Sequence, residues 1–141
     1  MYKGRKSAQK ILIYLAGPLM NFIMAIVFSM ISIPENLSLK IIYTNLLLAI
    51  FNLIPIIPLD GGKILKEILL IKLGNKDATI FMNKVTQAVL IIITISYSIM
   101  ILKLHNIAIF LLILYLWYLK YIEDKKIKLM LRAYEVLENS V

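Results

Sequence analysis

Four stretches of this chain contain no charged residue: 11–33, 41–59, 85–102 and 104–119. Helix rises about 1.5 Å per residue, so stretches of this length roughly match a hydrocarbon layer about 30 Å thick. Each is therefore expected to form a transmembrane helix. Lys103 interrupts what would otherwise be one long run, which predicts two helices turning at residues 103–106 rather than one continuous rod. The pattern gives an all-α membrane protein with about four transmembrane helices, the second broken between Pro55 and Gly62.

Composition supports this class. Of the 141 residues, 61% are hydrophobic and 17% charged. The mean hydropathy is +0.86. Soluble domains are nearer 45–50% apolar with about a quarter charged, so a chain this short could not cover itself against water. A secreted mini-protein and a disordered tail are excluded. Cysteine is absent, which removes disulfide and thiolate chemistry, and the single histidine, His105, is read as an exposed loop residue rather than a metal ligand.

The net charge of +8 changes the picture only through its placement. Fourteen of the sixteen Lys and Arg lie in three places: an N-terminal arm (1–10), the 60–84 connection and the tail. Lys40 and Lys103 stand alone in the other two connections. The positive-inside rule then puts both termini and the 60–84 connection in the cytoplasm. The lysines are topology determinants, and no nucleic-acid partner is expected. Tyr115, Trp117, Tyr118 and Tyr121 beside Lys120 fit an aromatic belt where the fourth helix leaves the membrane. The expected organisation is a basic cytosolic arm (1–10), a transmembrane domain (11–122) and an amphipathic cytosolic tail (123–141).

Polar groups inside apolar spans are costly and draw attention to themselves. In the first span, Gly17 and Asn21 are four apart in Ala16-Gly17-Pro18-Leu19-Met20-Asn21 and share a helix face. By spacing alone this is first a helix-packing pair, with Pro18 removing one backbone donor. The second span carries Asn52-Leu53-Ile54-Pro55-Ile56-Ile57-Pro58-Leu59-Asp60-Gly61-Gly62. Two prolines three apart forbid regular helix and bias Ile54 and Ile57 toward extended backbone. Gly61 and Gly62 permit positive φ and close backbone approach. Two readings stand side by side: an unwound segment lining a cavity with Asp60 aimed into it, or Asp60 capping a surface helix that begins near Gly62.

At these two motifs the chain resembles the site-2 protease family of intramembrane zinc metalloproteases (M50-type). The likeness is greatest to the compact bacterial branch typified by stage IV sporulation protein FB, and it covers roughly residues 8–120. The run from Asn52 through Pro55, Pro58, Asp60, Gly61 and Gly62 looks like the family's aspartate motif. The Gly17 and Asn21 pair looks like its glycine/asparagine helix. The resemblance implies Zn²⁺ held by two histidines of a His-Glu-x-x-His helix and by Asp60, with the glutamate of that helix as general base. Asn52, Pro55 and Pro58 would then line the cleft, with Gly17 and Asn21 packing around it. The implied partner is a transmembrane protein substrate, with other membrane regulators conceivable, and the implied place is a bacterial cell membrane.

No His-Glu-x-x-His occurs in this sequence, so two ligands and the base are missing and no catalytic residue is assigned within it. The expectation is a partial core, truncated at its N-terminus, of an intramembrane metalloendopeptidase. Two other functions remain open: a non-catalytic membrane-bundle relative that binds transmembrane partners, and a small transporter using an intramembrane carboxylate.

Overall fold

A computed structural model describes residues 2–31, 34–104 and 107–139. Its four helices are α1 (Tyr2–Met30), α2 (Glu35–Asn52), α3 (Asp60–Leu104) and α4 (Ile107–Asn139), and no strand occurs among the described residues. The fold class read from the apolar pattern is the observed one. Among the described residues, two helical stretches, Lys6–Met30 and Asp60–Ile99, are long and apolar enough to cross a membrane, against the four spans expected.

The side chains are distributed as lipid solvent requires. Large apolar residues such as Leu12, Ile13, Ile26, Met30, Leu47, Ile92 and Leu111 face outward, while buried positions include Ala25, Ala49, Ala78, Thr79 and Thr86. In lipid, apolar side chains gain little by hiding from their surroundings, so small residues that allow close backbone approach are favoured between helices. A soluble protein of this size could not expose so much apolar surface.

The helices outrun the apolar stretches. Helix α1 begins at Tyr2, so the residues of the expected arm are helical and continue the first span. Helix α4 runs without interruption into the tail. Helix α2 ends at Asn52 and α3 opens at Asp60, so the irregular backbone occupies residues 53–59 and both Gly61 and Gly62 are helical. The 60–84 connection is part of α3, broken only at Gly74, which takes φ +80° and ψ 175°. Only glycine visits that region without strain, since a Cβ would collide with the backbone. The turn expected at residues 103–106 includes His105 and Asn106, which lie outside the described residues.

The chain divides into two compact units, Met1–Lys72 and Leu73–Val141. In the first, α1 and α2 form a hairpin in which Ser38 Oγ donates to the Phe28 carbonyl at 2.9 Å, and the start of α3 packs on α1. The second holds the part of α3 after Gly74 and helix α4. Lys76 lies 5.7 Å from the Tyr134 ring centre, and Trp117 Nε1 donates to Thr94 Oγ1 at 3.0 Å. Earlier residues of α3 thus meet later residues of α4, so the two run antiparallel.

A charged cluster fixes this second hairpin at Lys120 and Asp124. Lys120 is 4% exposed, and its Nζ donates to both Asp124 oxygens at 2.6 and 2.7 Å. Burial alone would raise the Asp124 pKa, but hydrogen bonds from Lys120 and Asn83, helped by the charges of Lys120 and Lys128, outweigh it and hold the carboxyl below its ordinary value. A depressed carboxyl pKa contributes stability that is present above the unfolded value, about 3.9, and is lost as pH falls through the folded value. Acidification below about pH 4 is therefore expected to loosen this hairpin. Asp124→Asn should flatten that acid limb and cost about 1–3 kcal/mol at neutral pH, because it leaves a buried ammonium without its counter-ion. Thermal melts of the detergent-solubilised chain at pH 7 and pH 3 check both effects.

Candidate functional site

The aspartate motif folds as consecutive tight turns, not as the extended segment the prolines lead one to expect. Leu53 N–H still donates into α2, to the carbonyls of Ala49 and Ile50. Ile56 N–H donates to the Ile54 carbonyl at 2.7 Å, and Leu59 N–H to the Ile56 carbonyl at 2.7 Å. The Ile57–Pro58 peptide is cis. Ile56 is fully buried, while Asn52, Pro55 and Pro58 are half-buried. Proline supplies no N–H to continue α2, and the freed carbonyls of Leu53, Ile54 and Ile56 are covered by the first turn of α3.

Gly61 and Gly62 make that cover possible. A Cβ on Gly61 would overlap the Leu53 carbonyl, and one on Gly62 would overlap the Ile56 carbonyl and the Ile57 nitrogen. The expected use of positive φ at these glycines is corrected: both have helical backbone, and Gly74 is the glycine with positive φ among the described residues. What the motif needs from them is the missing side chain, because the first turn of α3 sits directly on the backbone of the preceding turn.

Asp60 is the first residue of α3, since the first helical bond runs from Lys63 N–H to the Leu59 carbonyl at 3.1 Å. Its carboxylate points at α1. A Cβ built on Gly17 would lie 3.0 Å from Asp60 Oδ2. The two motifs, some forty residues apart, therefore meet at a glycine and a carboxylate. Gly17 itself is exposed, so the carboxylate stands at an open face of α1 and α3. Pro18, next to it, is fully buried inside an α1 that continues past it. Asn21 is half-buried one turn further on, and no hydrogen bond links Asn21 or Asn52 to Asp60 among the described residues.

Residues passed over in the sequence complete the surroundings. Lys63 Nζ lies 3.2 Å from Asp60 Oδ1 and 5.4 Å from the Tyr14 ring centre. Lys10 Nζ donates to Glu67 Oε1 at 2.8 Å, and Glu67 is 7% exposed. Ser7, Lys10, Tyr14 and Gly17 follow helical spacing on α1, facing Glu67, Lys63 and Asp60 in reverse order on α3. This polar seam holds the two helices in register. The spacing is present in the sequence, at 7, 10, 14 and 17 against 60, 63 and 67, but a count of charges by segment carries no helical phase.

The donor set does not by itself fit zinc, which takes three or four N, S or O ligands. Asp60 faces an ammonium, and among the described residues no group of three His, Cys, Asp or Glu is placed to hold a metal ion. What the arrangement offers is one carboxylate, fixed at a helix start and beside a glycine that leaves it room. Gly17→Ala is expected to displace that carboxylate by a few tenths of an ångström while costing less than about 1 kcal/mol of stability, since the helix gains propensity from alanine. Gly17→Val should move it further. Melting temperature read beside the antisymmetric carboxylate-stretch infrared band of Asp60 separates the two effects.

Peptidase family M50 matches residues 32–95, a stretch that includes the aspartate motif. A zinc metalloprotease of Methanocaldococcus jannaschii is 42% identical over 72 residues, covering 46% of this chain and 21% of that protein. The chain thus spans about a fifth of the length of the curated relative it matches. No solved structure matches. Both matches are to peptidases and support a metalloprotease family, with zinc carried by the family rather than by a site in this chain.

Proposed function

We propose that this chain is the C-terminal part of an intramembrane zinc metalloendopeptidase that hydrolyses peptide bonds of membrane-embedded proteins. The observation that carries the reading is the meeting of Gly17 with Asp60, 3.0 Å from a Cβ position to Oδ2. Two motifs that resemble the same family are brought together in space, with the carboxylate open to one side. Asp60 would be one of three protein ligands to zinc, the other two coming from a His-Glu-x-x-His helix outside these residues. The metal in such a site lowers the pKa of bound water toward about 7. The residues of this chain hold and orient the carboxylate: Gly17 leaves space for it, and Gly61 and Gly62 seat its helix on the turns at 53–59.

The reading extends to topology and place. Four spans with both termini cytoplasmic fit the charge distribution, and the compact build fits the bacterial sporulation branch and its cell membrane. The substrate would be a transmembrane protein. The test is to read the coding region upstream of this chain for His-Glu-x-x-His and to co-express that segment with it. About one zinc per assembled protein and cleavage of a membrane-embedded reporter are expected. Lack of the motif in every frame, or assembly without zinc, overturns the reading.

A second reading has one observation in its favour: Lys63 already neutralises Asp60 at 3.2 Å. On that reading the chain is a non-catalytic relative that binds transmembrane partners. Zinc bound to the co-expressed assembly and lost in Asp60→Asn excludes it, whereas partner capture that is indifferent to Asp60 supports it.

A further inference from the structure

The outward face of α4 changes character along its length without changing direction. Leu111, Leu114, Tyr118, Tyr121, Lys125, Lys128 and Arg132 are separated by alternating steps of three and four residues, so they lie on one stripe of the helix. All are exposed. The stripe begins apolar, passes through two tyrosines and reaches three cations, with the exposed Glu135 the next residue along it. Lys125, Lys128 and Arg132, together with the exposed Leu129, line a recess of about 220 Å³, and no carboxylate borders it among the described residues.

The other cations of this region are already matched. Lys120 is held by Asp124, and Lys126 lies 3.9 Å from Glu123. Lys125 rests over the Tyr121 ring at 4.7 Å, which orients it along the stripe without neutralising it. Neither Lys128 nor Arg132 has a carboxylate within ion-pair distance among the described residues. Tyrosines of this kind sit at headgroup level. From Tyr121 to Lys128 is seven residues, about 10 Å along the helix, which places the cations at or just beyond the phosphates.

We infer that Lys125, Lys128 and Arg132 form a binding site for the phosphate of an anionic phospholipid, whose acyl chains lie along Leu111, Leu114 and Tyr118. The two ends of such a lipid match the two ends of the stripe: hydrocarbon against leucine and tyrosine, phosphate in the cationic recess. A guanidinium with two ammonium groups suits a phosphodiester, and Arg132 supplies the planar fork that grips two of its oxygens. The inference rests on α4 and on its crossing the membrane with Tyr118 and Tyr121 at the interface, and does not depend on the protease reading.

The test is native mass spectrometry of the full chain in detergent, titrated with phosphatidylglycerol or phosphatidylcholine. Retention of phosphatidylglycerol about tenfold tighter than phosphatidylcholine is expected, falling to near parity in K125Q/K128Q/R132Q. A control variant with three cations removed elsewhere, K6Q/K40Q/K72Q, should keep the preference; equal loss in both variants means net charge alone and overturns the site. Displacement of the lipid by millimolar inorganic phosphate assigns the recess to a soluble anion instead. Tighter binding of a polyglutamate peptide than of phosphatidylglycerol assigns it to an acidic protein segment. Either result overturns the inference. Helix content by circular dichroism confirms that each variant is folded.

Discussion

Asp60→Asn in the assembled protein is expected to reduce peptide-bond hydrolysis by at least about a thousandfold while leaving the helical fold intact. Asparagine keeps the size of the side chain and its place beside Gly17, so little packing changes. It removes the negative charge, and a neutral amide is a far poorer ligand for Zn²⁺ than a carboxylate. The salt link to Lys63, 3.2 Å away, is lost as well, but that pair is partly solvated and contributes little, of order 0–1 kcal/mol. Zinc content, cleavage rate and melting temperature measured on one preparation separate the possibilities. Zinc and activity falling together with an unchanged melt support Asp60 as a ligand. Activity unchanged in Asp60→Asn would remove Asp60 from the chemistry and leave the non-catalytic reading standing.

The two features that define this site were legible in the sequence singly but not as a pair. Asp60 stood out because a carboxylate between two prolines and two glycines is unusual at the end of an apolar run. Gly17 stood out as a small residue in a span. Nothing in spacing fixes which helices touch, so their contact required the fold. Lys10, Tyr14, Lys63 and Glu67 escaped notice for a different reason. Sorting lysines by segment answers a topology question and discards their helical phase, and it is phase that pairs Lys10 with Glu67. The prolines locate the break between α2 and α3, but it closes at Leu59, three residues before Gly62, because the glycines serve close approach rather than positive φ.

Gly62→Ala is expected to be the most damaging conservative change in the chain, costing about 2–4 kcal/mol. Alanine at a helical position is normally favoured over glycine by up to about 1 kcal/mol, so intrinsic propensity argues for stabilisation. Geometry argues the other way. The new methyl would overlap the Ile56 carbonyl and the Ile57 nitrogen, which are backbone atoms of a buried turn and cannot rotate aside as a side chain can. Relief requires the start of α3 to lift off the turn, exposing Ile56, which is fully buried, and carrying Asp60 with it. Gly61→Ala meets the Leu53 carbonyl and should behave alike. Gly74→Ala supplies the contrast: nothing lies within 4 Å of its Cβ position, so its cost comes only from forcing alanine to φ +80° with ψ 175°, about 1–3 kcal/mol. Denaturant titrations of the three variants in one detergent give the ranking. If Gly62→Ala proves no worse than Gly74→Ala, the first turn of α3 does not rest on the 53–59 backbone, and the rigid seat argued for Asp60 goes with it.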